Sequence, residues 1–359
     1  MSSVFTSKKT IVISVVVFIV LLMQMESFAR NNWERITQLP TERERFATAV
    51  VDNKIYLIGG TLSENRKKVP PGPLGLSTVE VYDTQTNTWQ RGVNMPTLRH
   101  AAKAAVVNGI IYVFGGYSAK DQKVVNMKFP TAVEAYDPQT DTWSRKQDMP
   151  VPRIRFSLGV VAGKVYIVGG KTDIRGGPID RVDIYDPATD TWTIAPQMPV
   201  QRDLDFDSVA VANNRIYVIG GDPRIIEEYN PISRQWRKMN DMLDLRGAFS
   251  QIVVKDDIYL IGGFTPTNRH PKYLATVDVY NPQTQAWSDI RSMPTAIRPW
   301  GAAAVNGKIY VLGGHGEDWE FSPDVLAFDT GFRAVTAKGK LPTRWGELKA
   351  ERQRQPQRD

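Results

Sequence analysis

The sequence predicts an all-β chain: a six-bladed β-propeller of four-stranded antiparallel blades, its ring closed by the N-terminal strand. Three observations predict it. A strand-like run ending in two glycines occurs six times. Each copy is followed by a short stretch ending in an aromatic and Asp or Asn, and in five copies by a tryptophan seven residues beyond that aromatic. The unit recurs about every 50 residues with four strand-like stretches, which is the period of a propeller blade.

The first element is "KIYLIGG", ending at Gly59-Gly60. It returns at Gly115-Gly116, Gly169-Gly170, Gly220-Gly221, Gly262-Gly263 and Gly313-Gly314, always with tyrosine three residues before the pair. Alternating β-branched and aromatic residues make these runs strands. A glycine pair after a strand can also cradle a phosphate. Six copies, none followed by a helical pattern or by Lys-Ser/Thr, argue instead for a tight turn beside a neighbouring blade. The next element is "VEVYD", "VEAYD", "VDIYD", "IEEYN", "VDVYN" or "VLAFD". A turn such as "PQTDT" then leads to the last strand, marked by Trp89, Trp143, Trp192, Trp236 and Trp287.

The glycine doublet, the following aromatic and the spaced tryptophan resemble kelch repeats, over about residues 31–332. The Gly-His and Trp-Asp signature of the other common propeller repeat is absent. The resemblance implies six blades. In the sixth, seven residues beyond Phe328 lies Val335, and no tryptophan follows. The N-terminal run Asn32–Ile36, with Trp33, is the spare strand expected to complete that blade and leave no blade interface unpaired. Phe332–Ala337 competes for the same place.

The rest of the chain frames this ring. Of 359 residues, 42% are hydrophobic and 23% charged, enough for a sizeable core. There is no cysteine, so disulfides, thiolate metal sites and a cysteine nucleophile are excluded. Three histidines far apart in sequence argue against a His-rich metal site, and no cofactor is expected. The formal charge of +7 is concentrated at the C-terminus, where residues 333–359 hold eight basic against three acidic residues. That is a tail property, not a basic domain, so no nucleic-acid partner is expected.

Residues 1–29 place Lys8 and Lys9 before an apolar run from Ile11 to Met23, then Ser27-Phe28-Ala29 as a cleavage site. This is the layout of a secretory signal peptide, with an uncleaved anchor through residues 10–25 as the alternative. Either way the propeller, residues 30–337, is expected outside the cytoplasmic membrane as a monomer. Residues 338–359 read as a basic, polar, solvated tail.

Function is expected where length varies. From tryptophan to the next glycine pair is 26 residues in five units and 28 in one. From glycine pair to aromatic the step ranges from 9 to 23. Scaffolds hold spacing constant and vary their binding loops. The loops after the glycines share a face with the segments leading into the first strands. Those segments carry Arg43 and Arg45, Arg99, Arg153 and Arg155, Arg202, Arg246 and Arg298. An arginine ring at one mouth of the channel would offer guanidinium forks to carboxylate, sulfate or phosphate. The opposite reading is structural: Arg43, Arg99, Arg153 and Arg202 follow proline at a constant interval and would bond carbonyls between blades. Arg45 and Arg155, two residues on, are the better ligand candidates.

The same face carries Asp203, Asp205 and Asp207 in the segment with two extra residues. These could bind sugar hydroxyls or a hard cation, or pair with Arg202. It also carries Tyr117, Trp300, His315, Glu317 and Trp319, as sugar or peptide contacts or as an ordinary solvated rim. The long loops are basic over the first two blades and acidic at the sixth.

The leading expectation is an exported, non-catalytic binding module for a protein or an anionic or carbohydrate ligand. Kelch-like copper oxidases acting on galactose need a cross-linked cysteine, which this chain lacks. Sialic-acid mutarotases resemble it in being exported kelch propellers, so a carbohydrate-active enzyme is the alternative. No motif of that family can be matched here, although Asp205 or Glu317 near Arg155 could imitate its acid and basic groups. A structural envelope component is the third reading.

Overall fold

The computed structural model describes residues 32–62, 75–118, 129–202, 204, 208–220, 224–265, 271–317 and 320–332. The expectations for residues 1–29 and 338–359, and for Asp203, Asp205, Asp207, Gly221 and Trp319, fall outside the described residues.

Six four-stranded antiparallel sheets form the ring. Blade one runs Ala47–Val51, Lys54–Ile58, Val79–Asp83, Thr88–Gly92. Blade two runs Lys103–Val107, Ile110–Phe114, Val133–Asp137, Thr142–Lys146. Blade three runs Ser157–Val161, Lys164–Val168, Val182–Asp186, Thr191–Ile194. Blade four runs Val209–Ala212, Arg215–Ile219, Ile226–Asn230, Gln235–Lys238. Blade five runs Ser250–Val254, Asp257–Ile261, Val277–Asn281, Ala286–Ile290. Blade six runs Arg298–Val305, Lys308–His315, Phe321–Asp329 and, as its outer strand, Trp33–Gln38.

The closure is the one expected. Trp33 pairs with Phe328 in register, as Trp89 pairs with Tyr82 and Trp143 with Tyr136. Its ring centroid lies 5.2 Å from that of Phe328, against 4.8–5.0 Å for the five Tyr–Trp pairs. The outer place of blade six is therefore taken by the N-terminal strand and not by Phe332–Ala337.

Within each blade burial follows position. Second and third strands are mostly buried, the second as near-continuous apolar runs and the third with an acid in its second position in five blades, while outer strands are mostly exposed. First strands line a central channel with small residues, among them Ala49, Ala105, Gly159, Ala210 and Ala302. Two-residue turns such as Asn108-Gly109 and Asn306-Gly307 join first and second strands with positive φ at both residues. This mirror-image turn matches strand twist.

The glycine doublets sit where blades touch. The Gly60 N–H donates to the Arg99 carbonyl of the next blade at 3.0 Å, and Gly116 to that of Arg153 at 3.1 Å. A Cβ on Gly60 would stand 2.7 Å from the Glu44 carbonyl oxygen, and its φ is +94°. Only glycine fits both demands. In four blades the tyrosine three residues before the doublet meets a tyrosine of the next blade: Tyr56 meets Tyr136 at 6.1 Å, and Tyr310 meets Tyr82 at 6.2 Å where the ring closes.

Candidate functional site

The repeated arginines are turned into the blades rather than out over the mouth. Arg43 donates to the Gly59 carbonyl at 3.0 Å and pairs with Glu80 at 3.0 Å. Arg99 does the same with Gly115 and Glu134, Arg153 with Gly169 and Asp183, Arg202 with Gly220 and Glu227, and Arg246 with Gly262 and Asp278. All five are buried, four of them at no more than 1% exposure. Burial pushes their pKa values down, and the facing carboxylates oppose that shift. Each ion pair clamps the entry to the first strand against the third strand of its own blade. The expectation of a mouth ringed by Arg99, Arg202 and Arg246 is corrected accordingly: their terminal guanidinium nitrogens turn to glycine carbonyls and acids of their own blades.

Blade six breaks the pattern. Its residue three beyond proline is Ile297, and the acid position of its third strand is Leu326. Both lie in one buried apolar cluster. Its arginine is displaced by one residue to Arg298, which packs its guanidinium over the Trp300 ring at 4.4 Å.

Among the described residues the mouth is built by a second tier of pairing above five of the blades. The residue after the arginine position pairs with the residue after the glycine doublet: Glu44 with Thr61, His100 with Tyr117, Ile154 with Lys171, Gly247 with Phe264 and Arg298 with His315. The segments entering the first strands thus share a face with the variable loops, as their geometry requires.

One stretch of this tier, over blades six, one and two, gathers unlike chemistry. The His315 Nε2 lies 2.9 Å from the Glu44 carboxylate across the seam of blades six and one. The His315 ring stands edge-on to Trp300 at 5.4 Å and to Phe321 at 5.7 Å. Arg45 places its guanidinium 5.9 Å from the same Trp300 ring, on the other side of the seam from Arg298. Glu44, Arg298, Trp300 and His315 are buried, whereas Arg45 is exposed. Arg45 has no acidic partner among the described residues.

His100 extends the cluster into blade two. Its ring stacks on Tyr117 at 5.0 Å, and Tyr117 meets Phe129 at 5.8 Å. It is 4% exposed, and among the described residues neither ring nitrogen has a hydrogen-bond partner. Burial first, and then the Arg45 charge, lower its pKa to about 3, so it is neutral at physiological pH.

Of the residues expected at the mouth, Arg45, Arg298, Trp300, His315 and Tyr117 come together. Arg155 is half-buried and takes the position of Arg45 two blades away, with φ 49° against 55°. Glu317 is exposed on the connection between the second and third strands of blade six. Glu44 and His100 were not singled out. Their signal is the column after the arginine, which reads Glu44, His100, Ile154, Asp203, Gly247 and Arg298 beside a nearly invariant neighbour.

Comparison with known proteins agrees with this architecture. The chain matches the KLHDC2/KLHL20/DRC7 kelch-repeats domain over residues 19–170 and 93–263, and the kelch motif over 246–294 and 301–335. It is 26% identical over 284 residues to human Kelch-like protein 23, covering 77% of this chain and 46% of that one. It is 29% identical over 291 residues to the Kelch-like protein terF of Aspergillus terreus, covering 76% and 61%. The match to Kelch-like protein 25 of Xenopus tropicalis is 28% over 274 residues, covering 73% and 43%. The matched regions thus span less than two thirds of these relatives. The solved structure of YjhT superposes with a TM-score of 0.65 at 16% identity, over 80% of this chain and 95% of that one, a likeness of fold alone. With six concordant repeats, a closed ring of six blades and family matches over most of its length, the chain belongs to the kelch-repeat family of β-propellers.

Proposed function

We propose that this protein is an exported kelch binding module. Its loop face, at the mouth over blades six, one and two, recognises a protein or an anionic or carbohydrate ligand through a negatively charged group. The observation that carries the reading is Arg45. Arg43, Arg99, Arg153, Arg202 and Arg246 are buried against their own acids, but Arg45 is exposed, without a carboxylate partner among the described residues, and beside the Trp300 ring. A guanidinium next to an aromatic face suits an acidic group carried on an apolar or sugar frame. The signal-like residues 1–29 support export. A thermal-shift screen of acidic metabolites, acidic glycans and acidic peptides tests it. Stabilisation by at least one class, lost in Arg45→Ala, is the expected result; no stabilisation by any class opposes the reading.

A carbohydrate-active enzyme is the second reading, and one observation favours it. His100 is neutral and buried beside the cationic Arg45, and among the described residues its ring nitrogens have no hydrogen-bond partner. A neutral imidazole beside an anion-holding group offers an acceptor nitrogen to a sugar hydroxyl, the contact from which proton transfer starts, although a pKa of about 3 makes it a weak base. Turnover of an acidic sugar that is abolished in His100→Gln, with ligand binding retained, would select this reading over simple binding.

A further inference from the structure

The face opposite the mouth carries a second concentration of polar chemistry, at the seam of blades four and five. The residue before the third-strand aromatic is Val81, Ala135, Ile184, Val279 or Ala327 in five blades, and Glu228 in blade four. It is a carboxylate placed in an apolar column, 5% exposed. Its strand neighbours are matched to it in register. Tyr217 donates its hydroxyl to Glu228 Oε2 at 2.8 Å, and Arg237 donates to the same oxygen at 2.8 Å. Among the described residues Oε1 has the longer, 3.9 Å ion pair with Arg215.

The seam itself is closed differently from its neighbours. Between blades one and two, Asp141 accepts both the Tyr136 hydroxyl and the Val93 N–H at 2.9 Å, and Trp143 donates to the Val93 carbonyl at 2.9 Å. Asp190 repeats this between blades two and three. At the corresponding place in blade five stands Gln285, which bonds Asn240. The Tyr280 hydroxyl and the Trp287 Nε1 are then buried with no partner among the described residues. Both pack in one cluster with Tyr217. Beside them opens a cavity of about 450 Å³, within the range of small-molecule sites. Its walls bring Glu228, Arg215 and Arg237 together with Asn213, Gln283 and Trp236.

We propose that this pocket is a second ligand site, distinct from the mouth, and that it takes a small neutral saccharide. Carboxamides and guanidiniums donate to hydroxyl oxygens, the Glu228 carboxylate accepts from hydroxyl hydrogens, and Trp236 offers an apolar wall to sugar C–H groups. Glu228 on the wall sets the charge preference. It occupies both arginines, and it repels a ligand that brings a carboxylate of its own.

Ligand-observed NMR of the full chain with glucose, galactose, mannose, N-acetylglucosamine, maltose and glucuronate tests the site. At least one neutral sugar is expected to bind, with affinity falling about tenfold or more in Glu228→Gln and in Gln283→Ala. Gln283 is exposed, so the second variant reads the site even if the first fails to fold. Arg45→Ala, at the opposite face, is expected to leave this binding unchanged. No binding of any neutral sugar, preference for glucuronate over glucose, binding that survives both seam variants, or loss in Arg45→Ala would each overturn the proposal.

Discussion

Ile297 and Leu326 lie in one buried apolar cluster of blade six, at the two positions where Arg99 and Glu134 form an ion pair in blade two. Blade six thus shows that the clamp between first-strand entry and third strand can be ionic or apolar, provided both positions change together. Removing one partner of a buried pair strands a charge, at a cost of about 3–5 kcal/mol, whereas replacing both with apolar groups is near neutral or stabilising. Arg99→Met and Glu134→Leu are each expected to lower unfolding free energy by about 3 kcal/mol or more. The double variant is expected to recover most of it. Urea denaturation of the three variants checks this.

His100 makes stability depend on pH. Its folded-state pKa of about 3 lies below the ordinary histidine value of 6.5. The unfolded chain therefore binds more protons between these values, and stability rises with pH across that window. The neutral-imidazole contribution is fully present above about 6.5 and is lost progressively as pH falls towards 3. His100→Gln is expected to flatten this part of the stability–pH profile, measured by denaturation at a series of pH values.

Gly116 tests the close fit of a glycine doublet against the entry to its own blade's first strand. Its φ is +91°, and a Cβ there would stand 2.6 Å from the His100 carbonyl oxygen. Gly109, at +79°, has nothing within 4 Å of the same added atom. Gly109→Ala is expected to cost only the left-handed backbone term, about 1–2 kcal/mol. Gly116→Ala should cost distinctly more, because the doublet must move away from the His100–Ala102 backbone that enters the first strand of the same blade. Chemical denaturation of the pair separates strain from collision.

Trp33 tests the closure. Besides packing on Phe328, its indole donates to the Arg291 carbonyl at the end of blade five at 2.8 Å. Trp33→Ala is expected to destabilise the ring by about 3 kcal/mol, in line with large aromatic deletions. Limited proteolysis should then cut first within 32–38.

Much of the architecture was legible because repetition makes weak signals add. One glycine doublet says little, but six, five of them 26 residues beyond a tryptophan and one 28, specify blades. The absence of a seventh-residue tryptophan after Phe328 points to Trp33. The site was legible only in part. The constant interval from proline to Arg43, Arg99, Arg153 and Arg202 was visible, but not whether a guanidinium faces its own acid or the mouth. That depends on the third strand, where Glu80, Glu134, Asp183 and Glu227 supply the partners. Glu44 and His100 were hidden for another reason. Their contacts are made by pairing between segments that belong to different connections or different blades, which no local pattern displays.

The most direct test of the mouth is a calorimetric titration of wild type and Arg45→Ala with the acidic compounds of the thermal-shift screen. Arg45 is exposed and outside the ion-pair clamps, so the variant should keep the wild-type melting temperature without ligand. In the variant, affinity for the acidic group is expected to fall about tenfold or more, the equivalent of about 1.4 kcal/mol. Equal affinity in the two proteins would contradict it.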